Sequence, residues 1–426
     1  MKKILIITGN YYPKPSANGI CSHQIALALK DNEHEVHILC YKKKSEKAEE
    51  IIDSIYVHRV NISLISRYKD SDVQSMYRKV MKKFAALVNR IRLLIYWPYY
   101  PLNSIIDVYK MYKNASRLHS KYSYSAVISV YNPLSSLIVG IVLKKLYGNF
   151  KFFPYFLDSI TASWGHRFIS KKDLEKKGWK WEKRVLRIAD KAIAMKYHMK
   201  NHNNTRYDEF KEKLVYLDIP LFREIRLEGC VNSPFNITDI NITYTGRLEN
   251  DTYDPWYAIS IFKLIGLTKN NYKVHFYSRG SCEERLNQEM IDSNNHIERH
   301  GFVQVTEAIR AILYSDILIS FGTADSYMIP SKIFEYMSTG KPIIHFYKQD
   351  NDVCLPYFNK YPLSLVIRES YEDINDNALI VENFIRDKTG HTLNKADIIN
   401  SFRENTPEYT ADFIKNELNN EEDKHV

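Results

Sequence analysis

Cysteine is scarce in this chain. The five residues Cys21, Cys40, Cys230, Cys282 and Cys354 are odd in number, scattered, and never spaced C-x-x-C. That argues against a zinc site and for a reducing cytosol. Long apolar runs are missing too: the stretch from Ile91 to Leu102 is short and carries Arg92, Pro98 and Pro101, so a membrane-spanning helix is excluded. The start Met-Lys-Lys-Ile-Leu-Ile-Ile has no small-residue cleavage site after its brief apolar run, and reads as a first β-strand rather than a leader. There is no internal repeat, no low-complexity tract and no recognisable nucleic-acid-binding module.

What is present is an ordinary soluble composition, 45% hydrophobic and 26% charged, over 426 residues. That length exceeds one ordinary core and predicts two domains of about 200 residues each. The formal net charge is +10. Much of the excess sits between Asn61 and Ser120, where Arg67, Lys69, Arg78, Lys79, Lys82, Lys83, Arg90, Arg92, Lys110, Lys113 and Arg117 face only Asp70, Asp72 and Asp107. Met76, Val80, Phe84, Leu87, Val88 and Ile91 recur there at helical spacing, with Trp97, Tyr99 and Tyr100 following. Two readings stay open: an interfacial helix on an anionic membrane surface, or a core-facing helix with a solvated basic face.

The chain alternates strand and helix from its first residues. Ile4 to Ile7 is an unbroken apolar run of the kind buried in parallel sheets, followed by a loop holding Asn18-Gly19, a helix from about Ile20 and a second strand beginning near Glu35. Further strands are expected at Ala126–Val130, Phe152–Leu157 and Ala192–Met195. Asp158 ends the second of these, as a candidate base or acceptor anchor, or as a capping aspartate. His166 is a poorer candidate, and Asp190 reads as structural. The first domain is expected to span 1–227. After a polar linker, a second spans 240–380, and C-terminal helices over 381–426 may return to the first through Tyr409 to Leu418.

The densest pattern lies between Asp316 and Phe346. Ile317 to Phe321 is a strand, Pro330 suits a first helical turn, Gly340 suits a helix end, and Ile343 to Phe346 is the next strand. At 100° per residue Ser331, Lys332 and Glu335 share one arc of the helix, while Ile333, Phe334 and Met337 share the other. A hydroxyl, an ammonium and a carboxylate at the start of a helix that follows a parallel strand suit a nucleotide sugar. Lys332 and Glu335 can equally be a solvated helix face.

The run Pro330-Ser331-Lys332-Ile333-Phe334-Glu335-Tyr336-Met337, closing on Gly340-Lys341-Pro342, resembles the donor-site signature of retaining, family-4 type glycosyltransferases of the GT-B fold. The resemblance implies an α/β architecture of two Rossmann-like domains facing a cleft, and it spans nearly the whole chain, most strongly from Ile242 to Phe346. It implies that Glu335 binds the donor ribose and that Gly246-Arg247 forms the diphosphate corner, with Lys332, Pro330, Ser331 and Ile333 beside it. It places Gly301-Phe302 at the base pocket and Asn18-Gly19 where the family's glycine pair approaches both the donor phosphate and the acceptor. Two family positions differ: Tyr327 stands where a first glutamate is usual, and Thr252 where a second diphosphate cation is usual.

The implied activity is transfer of a sugar from a nucleotide-diphosphate sugar, UDP-sugar favoured, to a saccharide or lipid-linked saccharide acceptor in surface polysaccharide synthesis, on the inner face of the cell membrane. No metal and no further cofactor are expected, since the Asp-x-Asp triplets at 70–72 and 350–352 lie outside the context in which such triplets hold metals. Arg247 and Lys332, with Asp158, are the candidate catalytic groups. A sugar-nucleotide epimerase of the same fold and a catalytically silent binding subunit remain alternatives.

Overall fold

The computed structural model describes residues 1–43, 45–61, 91, 95–161, 170–223, 225, 227, 232–266, 271–322 and 329–420. Most of the basic segment, His166, Cys230 and Tyr327 lie outside the described residues. The chain forms two units, one made of Met1–Pro220 with Glu404–Val426, the other of Leu221–Arg403. The second unit therefore runs past position 380, where the sequence pattern suggested an end.

The first unit contains β1 (Lys3–Ile7), α1 (Ala17–Asp31), β2 (Glu35–Lys42), β3 (Glu49–Ile52), β4 (Ile55–Asn61), α2 (Ile105–Tyr122), β5 (Ala126–Tyr131), α3 (Leu134–Tyr147), β6 (Lys151–Phe156), α4 (Lys171–Ile188), β7 (Ala192–Met195), the short α5 (Met199–His202) and β8 (Leu214–Leu217). Among the described residues its strands run in the order β3-β4-β2-β1-β5-β6-β7-β8. Every neighbouring pair is parallel except β3–β4. Helices on the faces leave the central strands dry, which is why β1 and β5 are apolar runs rather than alternating ones. Serine caps start three of the helices: Ser16, Ser104 and Ser170 each accept from the backbone N–H three residues on. Asp190 is structural, as its neighbours indicate: it accepts from the Phe152 N–H and pairs with Lys144 at 2.9 Å.

The second unit contains β9 (Ile240–Arg247), α6 (Trp256–Leu264), β10 (Tyr272–Arg279), α7 (Glu283–Asp292), β11 (Ile297–Arg299), α8 (Val305–Tyr314), β12 (Ile317–Phe321), α9 (Lys332–Met337), β13 (Ile343–Tyr347), α10 (Leu355–Lys360), β14 (Ser364–Arg368), α11 (Ile374–Lys388) and α12 (Lys395–Ser401). Among the described residues its strands are all parallel, in the order β11-β10-β9-β12-β13-β14. Its core is a contiguous set from Ile242 to Ile385. The last helix, α13 (Pro407–Asn419), belongs to the first unit, where it packs on α1 and its Leu418 carbonyl accepts from Lys2 Nζ at 2.6 Å.

The two sheets share a winding. In each, the first parallel strand of the unit lies at the centre, with later strands added first on one side and then on the other. The direction of winding reverses between β1 and β5 in the first unit and between β9 and β12 in the second. Loops leaving the carboxyl ends of strands on either side of such a reversal diverge, and ligands of doubly wound sheets bind there.

Candidate functional site

At the reversal in the second unit, β9 ends in Gly246-Arg247. A Cβ on Gly246 would lie 2.7 Å from the Tyr244 hydroxyl, which donates to the Arg247 carbonyl at 2.9 Å, so this corner is built around a missing side chain. Arg247 projects into solvent, 70% exposed, with its guanidinium on Glu249. Glu249 also accepts from the Ser281 N–H at 3.0 Å, and these hydrogen bonds, led by Ser281 and Arg247, hold its carboxyl down at about 2. The loop after β10 is pressed against the loop after β9. Gly280 there has φ +136°, and a Cβ on it would lie 1.9 Å from the Leu248 carbonyl oxygen, so only glycine fits.

Helix α9 follows β12 and is shorter than its sequence pattern suggests, six residues rather than a run to Gly340. Ser338 Oγ and Thr339 Oγ1 donate back to the carbonyls of Glu335 and Tyr336, which turns the chain before Gly340 takes its left-handed φ of +77°. Ile333, Phe334 and Met337 are buried, while Ser331, Lys332 and Glu335 lie at the half-buried edge, Lys332 Nζ 2.6 Å from Glu335 Oε2. Pro330 is half-buried and Ser331 caps the helix without a side-chain bond. The residue that fixes α9 against β9 is Tyr336. Its hydroxyl accepts from the Thr245 N–H at 2.8 Å and lies 3.2 Å from both the Thr245 hydroxyl and carbonyl. The helix carrying Lys332 and Glu335 is thereby tied two residues before Arg247.

Arg279 was not singled out by the sequence pattern. It ends β10 in direct register with Arg247 on β9, and its guanidinium lies 4.7 Å from the centre of the Phe302 ring. Phe302 is 74% exposed and follows Gly301, whose φ is +71°. Adjacent strands β9 and β10 thus end in a pair of arginines, and an aromatic ring from the turn after β11 covers one of them. Thr252 sits in the turn after Arg247, its N–H on the Glu249 carbonyl. The sequence signal for Arg279 is weak, a strand-end Arg279-Gly280 that inverts the order of Gly246-Arg247. Only the register makes it visible.

At the reversal in the first unit the groups differ. Gly19 is buried in the first turn of α1, where a Cβ would lie 2.1 Å from the Asn10 carbonyl oxygen, and its N–H is taken by Ser16 Oγ at 3.2 Å. Its neighbour Asn18 donates to the carbonyl of Tyr131, the last residue of β5, and to Asp158 Oδ2 after β6, both at 3.0 Å. One amide thus ties together the ends of three segments. Asp158 reaches the surface but is crowded by these loops, and that desolvation pushes its carboxyl up against the lowering effect of Asn18.

Of the Asp-x-Asp triplets, 70–72 lies outside the described residues. In the other, Asp350 pairs with Arg368 at 3.2 Å, while Asp352 is buried beside His345 and Cys354. No helix of the described residues is long and apolar enough to cross a membrane.

No family model and no curated protein matches this chain. Solved structures do match it in fold. Sucrose-phosphate synthase from Thermosynechococcus elongatus superposes with a TM-score of 0.61 at 12% identity, covering 100% of both chains. The HepE protein of Anabaena, solved with UDP and glucose, gives 0.56 at 14% identity over 99% of this chain and 100% of its own. A putative UDP-N-acetylglucosamine 2-epimerase from Listeria monocytogenes gives 0.55 at 9% identity over 99% and 97%. With two parallel-sheeted α/β units and full-length matches of this kind, the chain has the GT-B fold.

Proposed function

We propose that the protein is a retaining glycosyltransferase that takes a sugar from a nucleotide-diphosphate sugar, UDP-sugar favoured, and passes it to a saccharide or lipid-linked saccharide acceptor. The observation that carries this is the set of cations at the carboxyl edge of the second sheet. Arg247 and Arg279 end neighbouring strands in register, and Lys332 opens the helix that Tyr336 ties to β9. Breaking the bond between a sugar and a diphosphate leaves negative charge on the departing phosphate, and positioned cations stabilise it more than they stabilise the intact donor. Arg279 supplies the second charge that Thr252 does not.

Each of two cations is already neutralised: Arg247 by Glu249, Lys332 by Glu335. Pairs this exposed are worth little, so a diphosphate displaces them at low cost. Glu335, released from Lys332, then takes the ribose hydroxyls. Gly301 and Phe302 flank the base, Pro330, Ser331 and Ile333 shape the phosphate side, and Asp158 and the Gly19 turn serve the acceptor side. The same-face route, in which the leaving phosphate accepts the acceptor's proton, asks nothing more of the protein than this. Exposed Ile105, Ile106 and Tyr109 on the first turns of α2, continuous with Lys113 and Arg117, support docking on an anionic membrane surface.

The test is incubation of the purified chain with a panel of nucleotide sugars, with and without membrane extract. Transfer only when extract is present is the expected result. Conversion of the donor without acceptor makes it an epimerase instead, and binding without turnover makes it a silent subunit.

A further inference from the structure

We infer that the second unit holds a zinc ion, or a divalent ion of similar preference, on His275, Glu298 and His300. The three ligand atoms, His275 Nδ1, His300 Nε2 and Glu298 Oε2, stand 3.1, 3.5 and 3.6 Å apart. A tetrahedral ion with bonds of about 2.0–2.1 Å requires neighbouring ligand atoms roughly 3.3–3.4 Å apart. The observed triangle brackets that spacing, and two imidazoles with one carboxylate are a donor set zinc accepts.

The sheet makes the triangle. His275 on β10 is the register partner of Glu298 on β11, and His300 lies two residues further on, so the period of a strand turns all three side chains to one face. Next to them is an orienting group. Asn241 Nδ2 donates to the carbonyls of Asn236 and Asp239 at 3.1 and 2.9 Å, which fixes its Oδ1 as the atom facing His275 Nε2 at 3.0 Å. Nε2 must therefore carry the proton, and Nδ1 turns a lone pair toward the other two ligands. A carbonyl-type acceptor behind the far nitrogen is what orients metal-binding histidines. Phe235 stacks on the His275 ring at 4.3 Å and Tyr277 on the His300 ring at 4.2 Å, which holds both planes. Lys273 approaches the other oxygen of Glu298, Oε1, at 3.5 Å and leaves Oε2 available.

His275 is 5% exposed, while His300 and Glu298 are 27% and 33% exposed, so the fourth position opens to solvent and takes a water. The ion would bind the three-residue edge strand β11 to β10 and fix the start of the Gly301-Phe302 turn. This site uses no cysteine, which is why cysteine spacing gave no sign of it.

The test uses the full-length, tag-free chain, stripped with a chelator and titrated with Co²⁺ as a spectroscopic stand-in and then with Zn²⁺ in competition. One ion per chain, a tetrahedral cobalt absorption band displaced by Zn²⁺, and a Zn²⁺-dependent rise in Tm are expected. Glu298→Gln and His300→Gln, at the partly exposed positions, each alter a direct ligand and should weaken binding by more than the about 10–100-fold that loss of an outer-shell partner costs. No cobalt band and no Zn²⁺ effect on Tm would overturn the inference. So would equal binding in both variants, or loss of the ion in Cys354→Ser alone, which would place it instead on the buried cluster of His345, Asp352 and Cys354.

Discussion

Both units wind their sheets the same way, yet the two reversal points are chemically unlike. In the second unit the strand ends carry arginines in register, Arg247 and Arg279, which reach solvent, Arg247 with the half-buried carboxylate of Glu249 as its partner. In the first unit Gly19 is packed against Asn10, its N–H is capped by Ser16, and Asn18 closes the gap to Tyr131 and Asp158. The topology therefore creates two places where a ligand could sit, and side chains decide which of them suits an anion. Cations with removable partners would suit a phosphate, whereas a carboxylate held by an amide would suit a neutral hydroxyl-bearing group.

The strongest way to break that contrast is to remove the charge from the second unit. Arg247→Ala should lower kcat by about 10²–10³-fold, or roughly 3 to 4 kcal/mol, the usual loss for one positioned charge contact to a developing anion. Arg279→Ala should fall in the same direction. Steady-state kinetics at saturating acceptor, after circular dichroism confirms folding, measures both. Unchanged kcat in both variants would remove this edge from the mechanism and the contrast with it.

A smaller effect separates binding from chemistry within the same site. A ribose contact is present equally in the bound donor and in the transition state, so Glu335→Ala should raise the donor KM by about 10-fold or more and leave kcat nearly unchanged. A loss of kcat with KM constant would exchange its role with that of Arg247.

Much of this architecture was legible in the sequence, for reasons the structure makes plain. Ile317–Phe321 and Ala192–Met195 are strands to the residue, because central parallel strands are buried on both faces and their apolar runs have sharp ends. The end of α9 was not legible, because serine and threonine hydroxyls at 338 and 339 bond back to the helix and close it early. Tyr336 stands in the sequence only as part of a motif, since nothing in the pattern says that its hydroxyl reaches Thr245 on another strand. Arg279 and the His275, Glu298 and His300 triangle depend on which residue of β10 lies beside which residue of β9 or β11. That register pairs strands separated in the sequence, and the pattern of one strand alone does not show which residue of the next lies beside it.

A third measurement sharpens the comparison by contrasting acids along the second sheet's edge. Glu249, held by hydrogen bonds from Ser281 and Arg247, stays at about 2, whereas burial pushes Glu369, just past β14, up to about 7 despite Lys348 nearby. A carboxyl raised in the folded state favours folding when protonated. Its contribution is complete below its unfolded value and is lost as pH rises through its folded one, a window from about pH 4.5 to 7. Across it the slope from this one group is at most about 1.4 kcal/mol per pH unit, less with solvent screening. Glu369→Gln should flatten that slope in denaturant midpoints measured at several pH values, with wild type and variant closest at the acid end. An unchanged slope would mean that Glu369 is hydrated and ionised as an ordinary surface acid.

The finest test addresses the first unit, where the contrast predicts an effect on proton chemistry and none on donor binding. Asn18 donates to Asp158 and favours its charged form, opposing the desolvation that raises its carboxyl. With Asn18→Ala the opposing bond is gone and desolvation acts alone, so the carboxyl moves further up. If Asp158 must be ionised to engage the acceptor, the acid limb of the pH profile of kcat/KM for acceptor shifts to higher pH. The donor KM stays within about 2-fold, because loss of one hydrogen bond worth about 1 kcal/mol in the first unit leaves the cations of the second untouched. Asn18→Asp separates charge from geometry. It keeps the bond to the backbone unmade while adding a second carboxylate beside Asp158, and like charge should drive the acid limb up further than alanine does. A donor KM that rises with the acid limb would show that the first unit's reversal point also contacts the nucleotide sugar, and the division of labour between the two sheets would fail at that residue.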